Sequence, residues 1–157
     1  MSEWPVEIIR FSQRSVPIFI HLAAAGKGMA PFICRGYGYR LDTESDWIWL
    51  YILKSQWLRL HDYMKHGREM SALLTSGIDN ESYQFKGRFI DSRPLTKKDV
   101  FILEEQYSWV TGHIPGLAPV IHVSPSECMA VGLQIRSVFL QTPGPGTGSL
   151  VMERGVK

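Results

Sequence analysis

Seven consecutive apolar residues, Trp47-Ile48-Trp49-Leu50-Tyr51-Ile52-Leu53, run directly into Lys54-Ser55 and a stretch with helical spacing. An aromatic and β-branched run of this length has the composition of a strand pressed into a core on both faces. Ser55 is a good N-cap for a helix over Gln56 to His66, whose stripe is Trp57, Leu60, His61 and Met64, with Gly67 placed to end it. A strand that feeds straight into a helix turns free backbone N–H groups and the positive end of the helix dipole toward one spot. Anions, phosphates above all, bind at such spots, and Lys54 adds a full charge there; equally, Lys54 and Ser55 read as nothing more than a helix cap.

The remaining segments constrain what can surround this junction. Trp4 to Ser12 suits a short helix with Pro5 in its first turn. Ile18 to Ala25 reads as a strand, and Gly26-Lys27-Gly28 as a hairpin turn into a second strand from Met29 to Leu41. Simple alternation puts Arg35, Tyr37 and Tyr39 on one face of that second strand and Gly36, Gly38 and Arg40 on the other. Glycines inside a strand mark a bulge or a place where something approaches the backbone. Two strand arginines are by default solvated; the glycines between Arg35 and Arg40 favour a ligand face. The pairs Trp47/Trp49 and Tyr37/Tyr39 are better suited to packing than to stacking on a ligand.

Met70, Ala72 and Leu74 alternate with Ser71, Leu73 and Thr75, and Gly77 to Asn80 turns the chain. Tyr83, Phe85, Gly87 and Phe89 then oppose Gln84, Lys86 and Arg88, a half-buried strand with a polar, basic outer face that Pro94 ends. Thr96 can cap a second long helix from Lys97 to about Val110, followed by a loop at Gly112-His113-Ile114-Pro115-Gly116. His113 is the histidine placed most like a functional group. Val120 to Val123 and Cys128 to Leu140 supply the last strands, and residues 141–157 form an irregular tail. The fold class is therefore mainly β with flanking helices: a small six-stranded antiparallel barrel in a single domain spanning residues 1–157. A barrel of this size fills its own interior, so a sizeable ligand lies on its outside or between subunits.

Composition removes several function classes. The 157 residues are 45% hydrophobic with a net charge of +2, too apolar for disorder and too weakly basic for a dedicated nucleic-acid binder. No apolar run reaches the roughly 20 residues of a membrane span, and no secretory signal is visible. Cys34 and Cys128 form no metal-ligand spacing, so no metal is expected; they read as reduced, buried thiols of a cytoplasmic protein. No paired carboxylates or nucleophile-and-base arrangement stands out, so the catalytic residues stay unassigned and any chemistry would be a cofactor's.

The order of these pieces resembles the FMN-binding split barrels, the group that includes pyridoxamine 5'-phosphate oxidase. The residues that carry it are Pro31 to Arg40, the join Lys54-Ser55-Gln56, Glu69 to Thr75, Tyr83 to Arg88 and the tail Gln141 to Gly146, over roughly residues 17 to 148. The resemblance implies a homodimer with FMN across the subunit interface. It implies that Arg35, Tyr37 and Arg40 of the second strand, Lys54, Ser55 and Gln56 of the helix start, and Ser82 and Gln84 hold the cofactor. Many flavin-binding members carry Arg or Lys where this chain has Gln56 and Trp57, leaving Lys54, Arg59 and the helix N-terminus to meet the phosphate. The implied function is a flavoprotein oxidoreductase acting on a small substrate. The alternatives are a non-catalytic module for flavin, haem or a similar anionic planar ligand, and a structural dimer whose cofactor site has decayed.

Overall fold

A computed structural model describes residues 3–25, 28, 30–65 and 67–155. The expected turn residues Gly26 and Lys27 and the expected strand start Met29 lie outside the described residues, as does His66; the helix expected to reach His66 already ends at Tyr63. The elements are α1 (Val6–Ser12), β1 (Ile18–Ala24), β2 (Phe32–Leu41), β3 (Trp47–Leu53), α2 (Lys54–Tyr63), β4 (Glu69–Ser76) and β5 (Ser82–Pro94). There follow α3 (Lys97–His113), α4 (Ala118–Ile121), β6 (Cys128–Leu140) and β7 (Leu150–Glu153).

Strands pair in the order β3-β2-β1-β4-β5-β6-β7, and β3 also pairs with β6, so the first six close into an antiparallel barrel. The interior is filled by alternate side chains: Ile20 and Leu22 of β1, Ile48, Leu50 and Ile52 of β3, Ala72 and Leu74 of β4, Phe85 of β5, and Leu133 and Ile135 of β6, all buried. The central outward residues of β3 are buried too, because Trp49 and Tyr51 pack with Leu103 of α3 and Ala130. That double burial explains an uninterrupted apolar run where one-sided strands alternate. β7 corrects the reading of residues 141–157 as irregular. β3 reaches only to Gln134 on β6, so the same edge of β6 lies free beyond it, and β7 takes that edge at Ser137–Glu153 and Val138–Met152.

β2 departs from simple alternation. Gly36 pairs with Ile52 but Gly38 with Tyr51, so Tyr37 is an extra, bulged residue. Past the bulge the faces exchange: Tyr39 turns into the core, and Arg40 joins Arg35 on the outside. Both glycines answer to packing. A Cβ on Gly36 would stand 2.7 Å from Ile20 Cγ2, and one on Gly38 2.9 Å from Leu103 Cδ2.

Three other expectations change. α2 begins at Lys54 with extended Leu53 as its N-cap and no side-chain cap bond, so Ser55 lies inside the first turn. Residues Ala118–Ile121 are a short helix, where a strand was expected from Val120: Pro119 suits a first helical turn, and Ala118 and Ile121 bury against Val110. α3 runs on to His113, and its start is as the sequence indicates, with Thr96 and Asp99 capping each other reciprocally.

Candidate functional site

α2 and α3 make their main strand contacts on β2, β3 and β6, whereas Phe11 of α1 packs into the core against Tyr39 and Tyr83. Of the outward side chains of β1, β4 and β5, His21, Lys86 and Arg88 are exposed and Leu73, Thr75 and Gln84 half-buried, while Ser82 is buried, Arg93 reaches Asp99 of α3, and Phe19 reaches the cluster of Val110, Ala118 and Ile121. Strand register sets those side chains in rows. Arg35 of β2 lies beside His21 of β1, His21 beside Leu73 of β4, Leu73 beside Gln84 of β5, and Gln84 beside Phe139 of β6. A neighbouring row runs Phe19, Thr75, Ser82. Three of the eight residues singled out in the sequence, Arg35, Ser82 and Gln84, thus belong to one side of the barrel, whereas Tyr37 packs with Trp49, Tyr51 and Leu103 beside α3.

At one end of this face, the backbone of Arg35 lies beside the residue that precedes α2. Gly36 pairs with Ile52, so the next residues along the two strands, Arg35 and Leu53, lie side by side, and Leu53 caps α2. The Arg35 guanidinium donates to the Val120 carbonyl at 2.6 Å and sits 4.8 Å from the centre of the Tyr37 ring. Lys54 and Ser55 are exposed, and the first turn of α2 contains no acidic residue. Its free N–H groups and Lys54 therefore form a corner that attracts anions. Trp57 packs against Phe89 and His61 at centroid distances of 5.4 and 5.3 Å, and Arg59 lies 5.2 Å from the centre of the Phe32 ring.

At the other end lies a groove of about 390 Å³ lined by Leu73, Thr75, Asn80, Ser82, Gln84, Gln141 and Pro143. The Thr75 and Ser82 hydroxyls are 2.7 Å apart, and Gln141 donates to the Gln84 side chain at 3.2 Å. Its polar lining is uncharged, suited to a neutral polar group rather than to a phosphate.

Arg40 belongs to neither end. It donates through Nε to Asp99 at 3.1 Å, beneath α3. Asp99 has no exposed surface and also accepts from Arg93 at 2.6 Å and from the Thr96 backbone N–H at 2.7 Å. Burial alone would raise its pKa, but the hydrogen bonds from Arg93, Tyr51 and Thr96 outweigh it and hold the carboxyl well below the usual range. The exposed His113 ring stacks on Trp109 at 4.2 Å, and Nδ1 donates to the Trp109 carbonyl at 2.8 Å.

Two residues escaped sequence reasoning. His21, exposed in the middle of the β1–β4–β5 face, was visible only as an outward position in an alternating strand. Asp99 had a signal, the spacing Thr96-x-x-Asp99, but nothing local shows that arginines from β2 and β5 converge on it.

No protein-family model matches the chain, and no curated protein sequence matches it. Solved structures do. HupZ from Group A Streptococcus superposes with a TM-score of 0.53 at 10% identity, over 92% of this chain and 100% of that one. General Stress Protein 26 from Bacillus anthracis gives 0.52 at 6% identity, over 92% and 95%. A pyridoxamine 5'-phosphate oxidase-related, FMN-binding protein from Nostoc punctiforme gives 0.52 at 10% identity, over 93% and 89%. At such identities the likeness is one of fold: the chain is a six-stranded split barrel with flanking helices. No helix among the described residues is long and apolar enough to cross a membrane.

Proposed function

We propose that the protein binds FMN on the β1–β4–β5 face of the barrel, between two copies of the chain, and that the bound flavin exchanges electrons with a small substrate. What supports this reading is that Arg35 stands beside Leu53, the N-cap of α2, on the adjoining strand, so that an arginine and a helix N-terminus come from separate segments to one end of this face. From β2 to β5 is three strand spacings, about 14 Å, a length that an extended mononucleotide can cover. The phosphate would lie against Arg35, Lys54 and the first-turn N–H groups, and the neutral ring edge toward Ser82 and Gln84. FMN would supply the redox chemistry; the chain's own residues bind it, orient it and cover it. The residues present fit such a group, since both a cationic corner and an uncharged polar groove lie on one side of the barrel. A second copy is the natural cover for a face that carries Ile33 at 64% exposure beside half-buried Leu73 and Phe139.

A structural dimer with a decayed site is the competing reading. It is favoured by the Arg35 guanidinium already donating to Val120 and by Trp57 serving the core. Titration of purified protein with FMN, followed by quenching of flavin fluorescence, separates the two, with light scattering for the mass. Saturable quenching on a dimer supports the flavin reading. A protein that leaves FMN fluorescence unchanged is the structural dimer.

A further inference from the structure

The β1–β2 ladder ends at Ile20 and Gly36, whereas β2 continues against β3 to Leu41. Continuing the same register puts Pro17 opposite Tyr39 and Ser15 opposite Leu41. Pro17 has no N–H to give, and its carbonyl already accepts from Gly77 N at 2.8 Å. The ladder therefore stops there, and the chain before β1 leaves the sheet. This is the split in the barrel.

In an antiparallel pair, successive residues turn their N–H and C=O groups alternately toward and away from the partner. Asp42 N donates to Trp47 O at 3.0 Å, which sets the phase. Gly38 and Arg40 face β3, while Tyr39 and Leu41 turn both backbone groups toward the split. Gln106 of α3 occupies its first position: Oε1 accepts from Ile18 N at 2.9 Å, and Nε2 donates to the Tyr37 carbonyl at 3.0 Å. A side-chain amide thus replaces the peptide group that a strand would supply. Past Gln106, no group among the described residues hydrogen-bonds the backbone of Tyr39 or Leu41 on this side. Both residues are buried, and buried backbone groups are nearly always paired. They line a cavity of about 200 Å³ whose other walls include Val16, Ile102 and Glu105.

We propose that this cavity binds a short extended peptide, which adds to the free edge of β2 as an antiparallel strand. The adjacent N–H and C=O of Tyr39 match the C=O and N–H of one α-amino-acid residue, a complementarity that a lone anion, an acceptor only, does not offer. Val16 and Ile102 make an apolar wall for one side chain. Exposed Glu105, with no ion-pair partner among the described residues, faces a free N-terminal ammonium.

The probe is the tripeptide amide Ala-Val-Ala, added to the full-length protein at millimolar concentration with amide NMR as the readout. The Tyr39 and Leu41 amide signals should shift, and their hydrogen exchange should slow about tenfold or more, with Gly38 and Arg40 little changed. N-methylation of the valine nitrogen removes the donor and should abolish the effect. N-acetylation of the peptide, or Glu105→Gln, should weaken it severalfold. Ile102→Trp, which fills a half-buried wall, should block it without loss of fold. Unmoved Tyr39 and Leu41 signals, or equal shifts with the N-methylated peptide, would mean that the cavity holds water only.

Discussion

The Tyr51 hydroxyl donates to the Asp99 carboxylate at 2.5 Å, tying the strand β3 to the first turn of α3. Arg40 and Arg93 reach the same carboxylate from β2 and β5, and Arg93 lies 4.1 Å from the centre of the Trp49 ring. One buried anion thus holds two cations and a helix start. It fixes α3 on the barrel and removes Arg40 from the candidate ligand face.

Asp99→Asn should cost about 3–5 kcal/mol at neutral pH, because two arginines lose their buried counter-charge. The folded-state pKa of Asp99 is lowered, so its contribution is complete above the unfolded carboxylate pKa of about 3.9 and is lost as pH falls through the lowered value. Urea unfolding of both proteins should therefore show a constant stability difference from pH 7 to about pH 4, narrowing in stronger acid. A gap of equal size at every pH would mean that Asp99 is not ionised in the folded protein.

Arg35 and Arg40 should separate cleanly on FMN titration. Arg35→Ala should weaken binding by about 1.5–3 kcal/mol, the loss of a charge-assisted hydrogen bond, with little effect on unfolding. Arg40→Ala should leave affinity unchanged and lower stability, since its partner is Asp99. Equal losses of affinity in the two variants would put both guanidinium groups on the ligand.

Gln56 lies in the first turn of α2, beside the Arg35 corner, at a position where a cation would face a phosphate. Gln56→Arg should tighten FMN binding, with a gain that shrinks as salt rises. Ser55→Ala should change stability by less than about 0.5 kcal/mol, because Ser55 makes no cap bond. Affinity of Gln56→Arg that stays flat at low and high salt would remove the phosphate from this helix end.

Burial raises the thiol pKa of Cys34 and of Cys128 to about 11, and nearby Glu127 adds to the effect at Cys128. Neither should react with Ellman's reagent at pH 8 while the protein is folded, and both should react once it is unfolded in guanidinium. A stoichiometric fast phase in the native protein would place one thiol at the surface.

Local rules alone located most of the barrel. Period-2 alternation marks β4 and β5, the unbroken run from Trp47 to Leu53 marks a strand covered on both sides, and Thr96 marks where α3 begins, because each signal is complete within a few neighbouring residues. The candidate site was legible by residue type but not by grouping. Arg35, Tyr37 and Arg40 are close in sequence, yet the bulge at Tyr37 and the pull of Asp99 divide them between an open face and a helix seat. Ser55 has the side chain of a cap, but extended Leu53 carries β3 straight into the helix and takes that position. Gly36 and Gly38 suggested room for a ligand; Ile20 and Leu103, supplied by other elements, occupy that room instead. Pro17 is plain in the sequence, but that it opens the barrel depends on standing opposite Tyr39. Tertiary structure decided these points because each depends on which strand lies alongside, and pairing register is set by the packing of the whole sheet rather than by any one segment.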